Sequence, residues 1–371
     1  MSITLKSNAR IRECRPDDLG VVAALFRRIL RDGEQCNLAA LESYLRDLFF
    51  EHPWHDPELT SRVSVSDDGM VNGFIGVLPV RMIYRGTQVR AALASSLMVD
   101  NPQQNPLAGA RLLRSFITGP QDLSLAETSD SVVQRMWQRL GGGAAPAYSM
   151  DWMRILRPAQ FGVAMLKAPS WMESLLRPVG FVVDGLLGAC KWRRFRTERI
   201  DARIERADID ANELIALVRQ FAARYELRPA WDDASLRWFL THAARKEPYG
   251  DLVGRVVRGK SRTPCGCYLY YGRPGGIAWV LQIFSGQENS DTVVKGLLAD
   301  VNDRGCAAVR GRVQPDLLDA LLQNGCIFKH VGSLTMHSRN AELVAAIRAG
   351  DALVTGLAGE SWTRLIRGQF A

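Results

Sequence analysis

Cysteine is sparse and badly placed for cross-linking. Cys14, Cys36, Cys190, Cys265, Cys267, Cys306 and Cys326 are an odd number at irregular spacing in a chain of 371 residues, so thiols kept reduced are expected rather than a disulfide framework. Cys265 and Cys267 lie close together, but no second pair completes a zinc site. His52 and His55 are set among prolines in EHPWHDPE, which reads as a loop closing on a core, and no metal is expected. The first 15 residues lack the apolar run of a secretory signal, so a cytoplasmic protein is expected. There is no Walker phosphate loop, no Gly-x-Ser-x-Gly nucleophile turn and no His-Glu-x-x-His zinc helix. The net charge of +8 is scattered and accompanied by no nucleic-acid-binding signature, so no nucleic-acid partner is expected.

What is present suits a soluble globular protein: 47% hydrophobic and 23% charged residues, in a chain long enough for two domains. Residues 10–14 alternate as a short strand. After Pro16-Asp17-Asp18, Leu19, Val22, Phe26 and Ile29 recur at helical spacing, and Leu38, Leu41, Leu45 and Leu48 continue as a second amphipathic helix. Three extended segments follow, at 61–66, 72–84 and 91–99, punctuated by Asp68-Gly69 and Arg85-Gly86 as hairpins. A helix is expected over 107–117, a strand over 123–127, a helix over 131–140 ending in three glycines, and a last strand over 148–155.

A second pass repeats this order. Helices are expected at 211–225 and 234–244, and strands at 252–258, 266–271 and 277–284. A helix at 291–303, a strand at 307–313, a helix at 315–324 and a strand at 331–337 complete it. Residues 343–347 and 362–366 read as short helical closures. The element orders match although the residues hardly do, which indicates a degenerate internal duplication of period roughly 190 residues. The expected domains are 1–157 and 203–371. The linker, 158–202, carries an apolar stretch followed at once by Lys191-Trp192-Arg193-Arg194-Phe195-Arg196. It is too short to span a bilayer. Within 171–196 it reads either as a docked helix with a solvated basic end or as a peripheral contact with an anionic membrane surface.

Two patterns carry chemistry. After the strand ending at Val99 comes a polar, proline-flanked loop, Asp100 to Pro106, that opens a helix at about Leu107, with Ala108-Gly109-Ala110 in its first turn. An exposed helix N-terminus offers unpaired N–H donors and partial positive charge to a phosphate, and small residues permit close approach. Further on, Asp130 follows the next strand, Trp137 lies seven residues later, and Leu140-Gly141 closes the helix.

The element order and these motifs resemble the GNAT superfamily of N-acyltransferases, well over 8–157 and weakly over 203–338. The resemblance implies an α/β (α+β) protein of two GNAT-like domains, each a mixed, mostly antiparallel twisted sheet flanked by helices. It implies acetyl-CoA, or another acyl-CoA, as co-substrate, with Val99, Gln104, Asn105, Leu107, Ala108, Gly109 and Ala110 at the cofactor loop. Gln104 and Gly109 match the family's loop pattern, whereas Leu107 replaces its first glycine. Asp130 takes the place of the usual amide, and Trp137 that of a tyrosine acid, a role an indole cannot fill. The second copy lacks both patterns and resembles a structural or acceptor-binding half.

Acyl transfer from a thioester to an amine needs a proton acceptor and good positioning. Glu127, Asp130 and Ser96 are the candidate catalytic residues. Asp130 is equally a natural helix cap, and Ser96 a filler of the sheet. The acceptor would be a small-molecule or cell-envelope amine. Two other readings share the fold: a non-catalytic binding or scaffold protein, and a membrane-surface transferase. An enzyme should show a cleft splayed between the strand ending at Val99 and the strand beginning at Leu123. A scaffold should have that cleft filled by Leu107 or Trp137.

Overall fold

The computed structural model describes residues 10–32, 35–165, 204–259 and 262–370. The chain forms two sheets, and each one takes strands from both halves of the sequence. The first contains β1 (Arg10–Glu13), β2 (Arg62–Val65), β3 (Val71–Tyr84), β4 (Thr87–Val99), β5 (Leu123–Ser129), β6 (Gly143–Ala144), β9 (Leu227–Pro229) and β15 (Ser333–Ser338). Its order is β1-β2-β3-β4-β5-β15-β6, with β9 added along β3. The second contains β7 (Met150–Ile155), β8 (Glu205–Asp208), β10 (Leu252–Arg258), β11 (Pro264–Tyr271), β12 (Ile277–Ser285), β13 (Ala308–Arg312) and β14 (Ile327–His330). Its order is β8-β10-β11-β12-β13-β7-β14. In each sheet the central pair, β4 with β5 and β12 with β13, is parallel, and the other pairs are antiparallel.

The local signals explain the elements. α1 (Leu19–Leu30) buries Leu19, Val22, Leu25 and Phe26 on one stripe. α2 (Leu38–Phe49) starts at Asn37, whose side chain accepts from the Ala40 amide at 3.1 Å. The β3–β4 hairpin closes through Arg85 and Gly86, both at positive φ (47° and 85°), the conformation a two-residue turn with the right twist requires. α3 (Ala108–Ile117) and α4 (Ser131–Arg139) cover one face of the first sheet, where Leu112, Leu113, Phe116 and Trp137 pack on Ile75, Val77 and Ala92. In the second half, α6 (Ala211–Ala222), α7 (Asp233–Ala244), α8 (Ser290–Asp303) and α9 (Leu318–Gln323) repeat that order, and α10 (Ala341–Ala349) follows. One further helix, α5 (Pro158–Met165), begins the expected linker. The basic segment 171–196 lies outside the described residues.

The pairing departs from a simple tandem in two respects: β9, from the second half, pairs with β3 from Met82↔Pro229 to Tyr84↔Leu227, and the last strands of the halves are exchanged. β7, which precedes the linker, hydrogen-bonds to β13 and β14, from Ala308↔Ile155 to Arg312↔Asp151 on the β13 side. β15, near the end of the chain, hydrogen-bonds to β5, from Ser333↔Ser129 to Ser338↔Leu123. The last strand of each half therefore completes the sheet of the other. Single-strand patterning carries no record of this, because an alternating strand suits either partner. Residues 362–366, expected as a helical closure, instead form turns within an extended C-terminal segment. That segment is stitched to the first half: Asn37 N–H donates to the Phe370 carbonyl at 2.6 Å, and Arg364 N–H to the Tyr44 hydroxyl at 2.8 Å.

Candidate active site

β4 and β5 pair only from Ala91↔Leu123 to Leu93↔Leu125. Beyond that point the strands part, and the β5-facing edge of β4 after Leu93 has no strand beside it among the described residues. Backbone donors and acceptors left unpaired at such an edge suit an amide-bearing ligand that lies along the strand. A bulge sharpens the opening. Gly76 faces Ser95 and Phe74 faces Met98, so Ile75 alone stands opposite both Ser96 and Leu97, and Ser96 sits at φ 53°.

The parted strands open onto a cleft of about 390 Å³. Ser95, Ser96, Ala126, Thr128, Ser129 and Asp130 line it from the first sheet. Trp279, Arg310, Arg312 and Asp151 line it from the second, and Glu360, Ser361 and Arg367 from the C-terminal segment. Leu107 does not fill it, since its side chain is 59% exposed. Trp137 forms part of the wall but belongs to the core, edge-on to Phe116 at 6.1 Å.

The candidate residues named from sequence are brought only partly together. Ser96 and Asp130 line the cleft. Asp130 also caps α4, accepting from the amides of Val132 and Val133 at 2.7 and 2.8 Å. Glu127 does not line the cleft. It is fully buried, and its carboxylate takes four donors from the C-terminal segment: the amides of Gly356, Glu360 and Ser361 at 2.8, 2.6 and 3.0 Å, and the Ser361 hydroxyl at 2.8 Å. Those bonds occupy the oxygens that a proton-accepting role would need.

Gln104, Asn105, Leu107, Ala108, Gly109 and Ala110 lie at the start of α3, outside the walls of this cleft, although Leu113 of the same helix is one of them. The N-cap residue, Leu107, makes no side-chain capping bond; the Ala108 amide donates to the Asn105 carbonyl at 3.1 Å, which leaves the amides of Gly109 and Ala110 as the donors of that helix start. Gly109 packs beside Val99: a Cβ there would stand 3.5 Å from the Val99 side chain and 4.0 Å from Met136.

One carboxyl group at the cleft was not legible in the sequence. Glu360 is 3% exposed, and Oε1 accepts from the Thr128 hydroxyl at 3.0 Å. Burial, and next the Glu127 carboxylate, push it up to about 7, against the pull of Ser95, Thr128 and Lys246. Lys246 is buried close by, donating to the Ser361 carbonyl at 2.6 Å, and burial lowers it to about 7. The faint signal was the pair Gly356 and Gly359 within TGLAGES. Gly356 has φ 69°, and a Cβ on it would collide with the Leu281 carbonyl.

The corresponding opening in the second sheet is closed. β12 and β13 pair only from Ile277↔Ala308 to Val280↔Gly311. The Gln314 side chain then bridges to Ile283, accepting from its amide at 3.0 Å and donating to its carbonyl at 2.8 Å. The space a ligand would take is thus used by a protein amide.

Solved structures share this architecture. A GCN5-related N-acetyltransferase from Anabaena variabilis superposes with a TM-score of 0.58 at 11% identity, over 90% of this chain and 74% of that one. One from Kribbella flavida gives 0.52 at 13% identity, over 92% and 73%. A probable N-acyltransferase from Enterococcus faecalis gives 0.54 at 9% identity, over 90% and 72%. The fold is that of the GCN5-related N-acetyltransferases. No protein-family model matches the sequence, and no curated protein matches it. In this fold the two sheets follow the repeated element order, and each is completed by a strand from the other half. Among the described residues there is no group of three or more potential metal ligands, and no helix is long and apolar enough to cross a membrane.

Proposed function

We propose that the protein transfers an acyl group from acyl-CoA to an amine, with the first copy holding the donor and the groove between the copies receiving the acceptor. The observation that carries this reading is the unfilled opening between β4 and β5, with the Ser96 bulge at its edge and the uncapped start of α3 beyond it. Acyl-CoA supplies the thioester. The β4 edge after Leu93 pairs with the amides of its pantetheine arm, and the amides around Gly109 and Ala110 face its pyrophosphate.

The amine nitrogen attacks the thioester carbonyl carbon, the C–S bond breaks, and the thiolate leaves. Glu360 takes the proton released from the attacking nitrogen. A carboxyl poised near neutrality is suited to that task, because it is partly ionised at working pH yet basic enough to accept. Among the described residues no tyrosine lines the cleft, and water protonates the leaving thiolate. The scaffold alternative loses ground because neither Leu107 nor Trp137 fills the opening.

Calorimetry with acetyl-CoA and longer acyl-CoA thioesters tests the donor. Micromolar binding that Gly109→Trp abolishes supports the reading, and no binding to any CoA thioester overturns it. Acyl length is read by a chain-length series, and peripheral membrane contact by vesicle flotation, with the same purified protein.

A further inference from the structure

The acceptor side of the cleft is strongly cationic. Four arginines line it: Arg31 from the end of α1, which donates to the Leu365 carbonyl at 2.8 Å, Arg310 and Arg312 from β13, of which Arg312 also donates to the Glu127 and Gly332 carbonyls, and Arg367 from the C-terminal segment. Trp279 gathers the cations. The Arg310 guanidinium carbon lies 4.3 Å from its ring centroid, that of Arg367 5.1 Å, and the Lys246 ammonium 5.6 Å. The opposing carboxyls are fewer: Asp151 lies 3.1 Å from Arg310 and 3.5 Å from Arg312, Asp130 caps α4 across the cleft, and Glu360 is raised to about 7. Arg367 has no carboxylate partner among the described residues. Its neighbours are the Trp279 face and the Tyr249 side chain.

Cations crowded around one indole repel each other, and a bound oxyanion relieves that repulsion. A planar guanidinium also matches carboxylate and phosphate oxygens in pairs. Burial, and next the Arg367 charge, hold Arg310 below its ordinary value despite Asp151, as expected of a site short of anions. The donor's phosphates are served elsewhere, since the uncapped start of α3 and the loop before it contribute nothing to this wall.

We infer that the acceptor is an amine that also carries an oxyanion, a carboxylate or phosphate, which Arg310 and Arg367 bind against Trp279 while the amine faces Glu360. This rests on the acyl-transfer reading for the direction of the amine, and on the arginine cluster alone for the anion.

The test uses matched amines with the full-length protein: ethanolamine against O-phosphoethanolamine, glucosamine against glucosamine 6-phosphate, and β-alanine amide against β-alanine. Binding is read by calorimetry without CoA, and turnover by thiol release from acetyl-CoA. In at least one phosphate or carboxylate pair the anionic member should bind or react at least tenfold better. The pair that responds identifies the oxyanion. Arg367→Gln, at an exposed side chain, should reduce the preference below threefold while leaving acetyl-CoA affinity within twofold. Arg310→Gln should do the same, and circular dichroism checks that it folds. Equal behaviour of both members in every pair overturns the inference. So does a variant that loses acetyl-CoA affinity and keeps the preference, since the arginines would then serve the donor. If acetyl-CoA fails to bind, the acyl-transfer reading falls, while the calorimetric comparison still decides the anion site.

Discussion

Glu127 and Glu360 are both buried carboxyls, yet their surroundings give them different work. Glu127 is held by four donors from residues 356–361, so it anchors the C-terminal segment beneath the cleft. Glu127→Ala leaves those donors buried without an acceptor and should cost about 3 kcal/mol or more, read by urea unfolding. Limited proteolysis should then cut after residue 355, and an unchanged midpoint would remove the anchor role. Glu360 is different, because its carboxyl is raised to about 7 and faces the cleft. Glu360→Gln should lower kcat/KM about 100-fold or more and erase the rise of rate with pH near 7. A retained limb would mean that another group takes the proton. The same shift has a stability consequence. A carboxyl raised in the folded state contributes stability that is present below its unfolded value, 4.5, and lost as pH rises through 7. Lys246, lowered to about 7, is charged in both states below that pH and adds little slope there. Wild-type Tm should therefore fall between pH 4.5 and 7 relative to Glu360→Gln, as differential scanning calorimetry would show.

At the scale of elements, most boundaries were legible because each helix or strand advertises its own period. α3 and α4 follow helical spacing, and their termini fall within a residue or so of expectation: Ala108–Ile117 and Ser131–Arg139. The position of Asp130 suits a cap as well as chemistry, and it does cap α4. The bulge at Ser96 was not legible, since Ser-Ser in an apolar strand gives no sign that Ile75 will face two residues. Leu107, a departure from the glycine expected in the loop, has its side chain turned to solvent, where it leaves the cleft open. Leu107→Ala should change acetyl-CoA affinity less than twofold by calorimetry. Gly109→Ala should fold normally, because its Cβ would meet Val99 at ordinary contact distance. The loss of binding in Gly109→Trp would then report filled space rather than a broken helix.

At the scale of the whole molecule, the exchange of β7 and β15 joins the two copies more firmly than a linker could. A fragment of residues 1–157 would carry β5 with no β15 beside it, and β7 with neither of its partners. Bare edges of that length associate rather than stay solvated. The fragment should aggregate or run as a molten species in size exclusion, and co-expression with 203–371 should recover soluble material. A monodisperse, cooperatively folding fragment would overturn the interdependence. The exchange also makes the cleft a joint product, with Ser96 and Thr128 from one sheet facing Trp279 and Arg310 from the other. The amino-acid sequence by itself determined the period of each element, the twofold repetition of their order and the start of α3, because those signals are local and survive in a single strand or turn. The tertiary structure alone decided which strand completes which sheet. It also decided that Glu127 is tied down while Glu360 faces the cleft, and that the arginines of β13 and the C-terminal segment converge on Trp279. Burial and long-range pairing set those outcomes, and neither leaves a mark on the spacing of residues along the chain.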